Sequence, residues 1–299
     1  MRKNITTSTI RDLPNIEWST VDLNPFEVAQ PAPVWMSVPV FILMLPFSIM
    51  SFLLLFVYGL TVVFRYPKMH LGQKDAVAQR VGFLLLLCAR LRLKVIDYSK
   101  GEHSQLFIGN HTCMLEGAIL ARIVGHVRFL AASFSKDIPI FGALIRAVEP
   151  IFVERHIRTN NVASQIKTSI LDSKMRHVIF PEGSYANSKA LLEFKSGAFV
   201  AGVPITPVLF TYEGYVPYWN RKESSLLVQM YRFLSRWSTT ATVQILPTYT
   251  PDIEEKEQPK IYAENVRRYM SYYLGCGLSK YSVFDSPNYK MDVENKQEK

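Results

Sequence analysis

From Val34 to Phe64 the chain runs for 31 residues without one charged side chain. A helix needs roughly 20 apolar residues to cross the hydrocarbon core of a bilayer. As one straight helix this run would reach about 46 Å at about 1.5 Å per residue, more than a crossing requires. Pro39 and Pro46 lie inside it and invite a kink. Two membrane arrangements fit: one kinked or tilted span, or a two-helix hairpin that enters and leaves on the same side. The excess length and the two prolines favour the hairpin or in-plane form. A buried core helix is the ordinary alternative. A cleaved leader is not expected, because 33 residues of mixed charge come first.

The rest of the composition narrows the partners. Mean hydropathy is slightly positive at +0.08, above the usual soluble range, and the excess sits in this run. The net charge is +9, and the stretch from Ala121 to Lys195 supplies +5 of it. Basic excess suits nucleic acid, an anionic membrane surface or anionic substrates. The apolar run and the lack of a Lys/Arg-rich block or an RNP-type aromatic motif argue against nucleic acid. The three cysteines, Cys88, Cys113 and Cys276, are scattered. They suggest neither a disulfide framework nor a metal site, and they fit a reducing compartment.

Four segments follow from this reading. Residues 1–33 form a polar, mostly irregular lead-in, 34–64 the membrane segment, 65–280 an α/β domain, and 281–299 a polar tail expected to be disordered. Within Ala76–Leu93, the eight-residue patch Gly82–Ala89 is too short to span, and suits a helix lying on the membrane or packed on the domain. Short apolar runs then alternate with helical patterns. Strands are expected at Leu93–Asp97, Gln105–Ile108, Val127–Ala132, Ile151–Val153, His177–Phe180, Pro204–Phe210 and Thr242–Leu246. Helices are expected at Leu115–Val124, Asn160–Ser173 and Pro259–Tyr273, the last with Gly275 as its stop. Alternation of this kind implies an α/β fold with a mostly parallel sheet and flanking helices.

His111 follows the strand that ends at Gly109-Asn110, the place where open α/β sheets put reactive residues. Glu116 comes five positions later. On one ideal helix the two would be about 140° apart, so the histidine belongs in the turn and the carboxylate one turn inside the next helix. From there it can reach back to one ring nitrogen and leave the other free to take a proton. No G-x-S-x-G occurs, and no serine or cysteine nucleophile is placed beside the histidine. A satisfied structural histidine is the plain alternative. Further on, Phe180-Pro181-Glu182-Gly183-Ser184 ends a strand in a turn. Gly183 would let backbone N–H groups approach an anion, and Arg155 and Lys195 carry the charge a phosphate needs. An ordinary turn with surface charges is the alternative for these. No Walker motif or G-x-G-x-x-G indicates a nucleotide cofactor. The six histidines show no metal-ligand spacing.

Taken together, these residues resemble the glycerolipid acyltransferases that carry an H-x-x-x-x-D motif. The four family blocks appear in order: Asn110-His111 through Glu116, Phe152-Val153-Glu154-Arg155, Phe180 to Ser184, and Val203-Pro204-Ile205-Thr206-Pro207-Val208. Three stretches are most similar to the lysophosphatidylcholine acyltransferase branch: Asn24-Pro25-Phe26, Phe194-Lys195-Ser196-Gly197-Ala198-Phe199 running on to Pro204, and Leu246-Pro247-Thr248-Tyr249-Thr250 leading to Tyr262–Arg268. Three positions depart from the pattern. Glu116 stands for the family's aspartate, Glu154-Arg155 for Asp-Arg, and Ser184 for threonine.

The resemblance implies a membrane-bound, acyl-CoA-dependent O-acyltransferase acting on a lysophospholipid. His111 would be the base and Glu116 its orienting partner. Arg155 and the Glu182–Ser184 loop would hold the phosphate-bearing acceptor. Asn110, Phe180, Pro181, Lys195 and Gly197 would complete the substrate site. Acyl-CoA would be a co-substrate, with no cofactor or metal required. Calcium control is not expected, as no calcium-binding hands follow in this chain. The implied location is the endoplasmic reticulum membrane with the domain in the cytosol. Two alternatives stay open: a 1-acylglycerol-3-phosphate or glycerol-3-phosphate acceptor, and a catalytically silent membrane-binding homologue.

Overall fold

The apolar run forms one continuous helix, α1 (Val34–Val62), with Pro39 and Pro46 inside it. This comes from a computed structural model that describes residues 24–27, 33–62, 64–132, 150–153, 160–172, 175–214, 218, 220, 225–287 and 289–291. The hairpin is therefore not formed. An interior proline costs a helix about 3 kcal/mol. Reversing the chain inside the run would cost more, because several backbone groups would lose their partners with no turn residue to replace them. Just after Pro46, Ser48 and Ser51 donate back to the carbonyls of Met44 (3.1 Å) and Phe47 (2.8 Å), a pattern that accommodates helix bending.

A short 3₁₀ turn, Tyr66–Lys68, leads into α2 (Leu71–Cys88), and a seven-stranded sheet follows. Its strands are β1 (Leu91–Asp97), β2 (Leu106–Gly109), β3 (Val127–Ala132), β4 (Ile151–Val153), β5 (Arg176–Ile179), β7 (Ile205–Glu213) and β8 (Thr239–Ile245), in spatial order β1-β8-β7-β2-β5-β3-β4. The intervening helices are α3 (Glu116–Val124), α4 (Asn160–Asp172), α5 (Leu226–Leu234), α6 (Ile253–Glu257) and α7 (Pro259–Leu274). A small parallel pair joins β6 (Ala190–Leu191) to β9 (Gly277–Leu278). The five strands from β7 to β4 are mutually parallel. β8 runs antiparallel to β7, and β1 parallel to β8, so two strands at one edge point the other way.

Both faces of the sheet are covered, which is why β2 reads as an unbroken apolar run. On one face Ile108, Ile179 and Leu209 pack with Ile166 and Ile170 of α4 and with Tyr262, Val266 and Met270 of α7. On the other, Phe107, Val178 and Phe210 pack with Ile119 and Leu120 of α3 and Leu86 of α2. The greasy patch of α2 belongs to this packing. A Cβ on Gly82 would lie 2.6 Å from the carbonyl oxygen of Ala118 and 2.8 Å from the nitrogen of Arg122, so only glycine allows the two helices to cross there. α7 ends as expected on Gly275 in the left-handed conformation.

Residues 24–27 form a turn without helix or strand, in which Phe26 is buried in a cluster with Ala186, Leu192 and Tyr218. One expectation about the chain ends needs correction. The tail is not disordered from residue 281. Ser282 caps a 3₁₀ turn at Val283–Asp285, and Ser286 is fully buried. Polar composition misleads here because the serines satisfy backbone and side-chain partners instead of water. Residues 292–299 lie outside the described residues.

Candidate active site

His111 lies just past the C-terminal end of β2, at the edge where the five parallel strands all finish. Its backbone is held on both sides. The N–H donates to Glu182 Oε1 (2.8 Å), and the carbonyl accepts from the N–H of Ala186 (2.8 Å). Its ring stacks on Phe180 (centroids 4.1 Å apart, planes at 11°) and meets Tyr185 at 4.4 Å. Nδ1 lies 2.6 Å from Glu116 Oε2. Nε2 has no hydrogen-bond partner among the described residues, and the side chain keeps 17% exposure. A proton on Nδ1, shared with the carboxylate, leaves Nε2 as the basic nitrogen.

Glu116 is the first residue of α3, not one turn inside it, and it is fully buried. Its extra methylene does not break the pair, because the whole carboxylate is fixed from behind. Oε1 accepts from the backbone N–H of Thr112 (2.9 Å) and Cys113 (3.0 Å) and from the hydroxyl of Tyr212 (3.0 Å). The two backbone donors lead into the N-terminus of α3, where a negative charge is favoured. Burial and the nearby carboxylate push the Cys113 thiol up, and burial with Cys113 and Glu116 does the same to Tyr212, so both stay protonated.

The other expected residues divide into two groups. Asn110 and Glu182 turn inward. Asn110 clasps the backbone of β7, accepting from the N–H of Phe210 (2.8 Å) and donating to its carbonyl (3.0 Å). Glu182 accepts from the N–H groups of His111 and Leu192 (3.1 Å). Burial pushes its acid up to about 8, against the opposing pull of those two donors. Neither side chain therefore faces an acceptor; both brace the histidine turn. Pro181 supplies the carbonyl that receives the Lys195 N–H (2.9 Å). Gly183 has φ +69 but gives its own N–H to Phe180 (3.1 Å), so its contribution is the turn and not an anion donor. Ser184 Oγ pairs with the buried Ser286 Oγ at 2.6 Å.

Lys195 and Gly197 remain at the surface of this turn. A Cβ on Gly183 would come within 3.2 Å of Lys195 Nζ, so the ammonium rests directly over the glycine. It also lies 5.7 Å from the ring centre of Phe284. A Cβ on Gly197 would meet nothing within 4 Å. Arg155, with Glu154, lies outside the described residues.

Three residues escaped the sequence reading. Tyr212 enters through the pairing of β7 beside β2, which no local pattern encodes. Tyr185 follows the third block directly and could have been suspected as its aromatic extension. Ser188 sits at φ +61, rare for a side-chain-bearing residue, and contacts Thr112 Oγ1 (2.7 Å) and Asn110 Nδ2 (3.1 Å) on either side of His111.

Residues 90–211, which hold the dyad and the third block, match the family described as Acyltransferase. Lysophosphatidylcholine acyltransferase 1 of Rattus norvegicus is 29% identical over 282 residues, covering 88% of this chain and 52% of that protein. Lysophospholipid acyltransferase LPCAT4 of Mus musculus is 32% identical over 202 residues, 66% of this chain and 38% of that protein. The chain thus spans about half the length of the rat relative or less of the mouse one. The crystal structure of the 1-acyl-sn-glycerophosphate acyltransferase PlsC from Thermotoga maritima shares the fold, with a TM-score of 0.52 and 20% identity over 82% of this chain and all of that one. The region that carries the dyad thus matches the acyltransferase family, and α1 is long and apolar enough to cross a membrane.

Proposed function

We propose that this protein transfers an acyl group from acyl-CoA to the free hydroxyl of a lysophospholipid, with a lysophosphatidylcholine-type acceptor. The observation that carries it is the His111–Glu116 pair, with Nδ1 held at 2.6 Å and Nε2 without a partner among the described residues. In this reading Nε2 takes the proton from the acceptor hydroxyl as its oxygen attacks the thioester carbonyl. Glu116 stabilises the imidazolium. The tetrahedral intermediate collapses with cleavage of the C–S bond, and CoA leaves as the thiol, its sulfur receiving the proton from Nε2. Lys195 lies beside the same turn and is suited to an acceptor or CoA phosphate. The names of the rat and mouse relatives support the acceptor class. An assay of purified protein with one acyl-CoA and a panel of lysolipids tests the reading. Turnover restricted to lysophosphatidic acid or glycerol 3-phosphate would replace the acceptor, and no turnover with any of them would remove the activity.

We further propose that the domain faces the cytosol on the endoplasmic reticulum, with α1 lying along the membrane instead of crossing it. Two contacts support this. At one end, residues 24–27 dock on the loop beside His111, through Asn187 and Lys189. At the other, Tyr66 hydroxyl meets His126 Nδ1 at 2.5 Å, just ahead of β3 and so at the opposite edge of the sheet. The seven steps from Glu27 to Val34 reach at most about 25 Å, short of the roughly 30 Å hydrocarbon core. A transverse α1 would put its two tethers on opposite sides of the bilayer. Arg65, Lys68, Lys74 and Arg80 follow the run, a bias that matches a cytosolic side.

A further inference from the structure

We infer that α5 is a second membrane-embedded element, lying in the lipid interface beside α1 and setting how the catalytic edge meets the bilayer. This rests on the membrane attachment of α1 and is independent of the acyl-transfer reading.

α5 packs Phe233 on the core, yet its outward side is apolar as well, unlike that of a helix on a water-facing surface. Gln229 points into the protein, buried, with Nε2 donating to the Tyr218 carbonyl (3.3 Å). Leu227 is 77% exposed, Met230 50% and, just past the helix end, Trp237 61%. Water would favour the opposite arrangement, with the glutamine outside and leucine and methionine within. Both ends of the helix have side-chain partners. Ser225 caps the helix start, and the Leu234 carbonyl at its end accepts from the Arg90 guanidinium.

What covers this face follows from its continuity with α1. Between the buried and exposed faces, Tyr231 joins the two helices: its hydroxyl lies 2.9 Å from Ser37 Oγ and its ring 5.1 Å from that of Phe41. Beside that contact α1 exposes Trp35, Met36 and Val38. The apolar surface of α5 therefore extends the surface that α1 gives to lipid. Trp237 supplies an exposed aromatic group of the kind that favours the headgroup boundary.

The location gives the contact a purpose. α5 lies in the connection between β7 and β8, whose pairing runs to Glu213 and Thr240. It is therefore at the sheet edge that holds Tyr212 and His111. Met114, exposed in the turn between His111 and Glu116, is at the same edge. Seating α5 in the interface brings that edge to the membrane surface, so an amphiphilic acceptor can reach Nε2 without leaving the bilayer.

The test uses the full chain with Trp18, Trp35 and Trp219 changed to Phe, leaving Trp237 as the reporter, bound to phosphatidylcholine vesicles that carry bromine at set acyl-chain depths. Trp237 emission should shift to the blue and lose most of its intensity to shallow bromines. Leu227→Glu with Met230→Glu should abolish that quenching while the protein still floats with the vesicles through α1. In the natural chain, amide exchange across residues 226–234 should slow on vesicle binding, a readout that needs no tryptophan replacement. Quenching of Trp237 by aqueous iodide alone, with unchanged exchange, would overturn the inference. So would protection that depends on protein concentration and not on lipid, which would identify a second copy as the cover. Failure of the natural chain to float would overturn it by removing α1 from the membrane.

Discussion

Asn187 holds the segment ahead of α1 through Asn24: its Nδ2 donates to the Asn24 carbonyl and to that of Glu27, both at 3.1 Å, while its backbone N–H donates to Pro25 (2.8 Å). The next residue, Ser188, contacts Asn110 and Thr112 on either side of the histidine. The segment ahead of α1 and the His111 turn are thus joined by two adjacent residues. Asn187→Ala should destabilise the protein by about 0.5–1.5 kcal/mol, the net worth of a lost hydrogen bond to a partly exposed partner. A thermal melt reads this as a lower Tm. An unchanged Tm would mean the clasp is not formed.

His111→Ala should lower kcat by at least about 10²-fold with an unchanged circular dichroism spectrum. Glu116→Gln should reduce kcat more than it raises KM for either substrate, because the carboxylate acts through the ring. Glu116→Asp should retain more activity than Gln, since it keeps the charge. A pure KM effect from Gln would contradict the orienting role.

Glu182 gives stability a pH dependence of its own. Its folded-state acid is raised from the ordinary 4.5 to about 8. The native protein then binds more protons than the unfolded chain between those values, so this contribution is fully present below 4.5 and is lost as pH rises towards 8. Glu182→Gln lacks the loss. The Tm difference, variant minus wild type, should therefore rise steadily across that window. A flat difference would show that the two backbone donors hold the carboxylate ionised throughout.

Lys195→Ala should raise KM for a phosphate-bearing substrate severalfold with a smaller change in kcat, and the wild-type KM should rise with salt. The same substitution at Arg155 tests its role on the same assay. Wild-type KM values for both acyl-CoA and lysolipid in both variants would remove these residues from the site.

Asn4-Ile5-Thr6 is a glycosylation sequence ahead of α1. With both ends of α1 tethered to one domain, Asn4 should stay unmodified in a eukaryotic host. A glycan that disappears in Asn4→Gln would place the N-terminus in the lumen. Protease added to sealed microsomes should cut around His111; a protected domain would overturn the cytosolic orientation.

The sequence exposes the parts of this site that are local. β2 reads as a buried run, and His111 falls one step past its end because strand and turn are contiguous. The order of the four blocks carries the family. What stays hidden depends on contacts between distant segments. The reversed edge pair β8 and β1 has the same apolar runs as the parallel strands, and direction leaves no mark on such runs. Glu182 looks like a surface carboxylate beside a glycine turn, yet two backbone N–H groups draw it inside. Ser286 looks like part of a polar tail until its buried partner Ser184 is known.

The burial of Phe26 against Ala186, Leu192 and Tyr218 also decides how the protein can be shortened. Removing everything up to the end of the greasy helix is the obvious way to obtain a detergent-free protein. Here that cut would take a side chain out of the core beneath the catalytic loop and release Asn187 and Lys189 together. The detached domain would dissolve more readily and hold its histidine less well. A water-soluble form is better sought by replacing the outward residues of the helix while keeping the short segment in front of it.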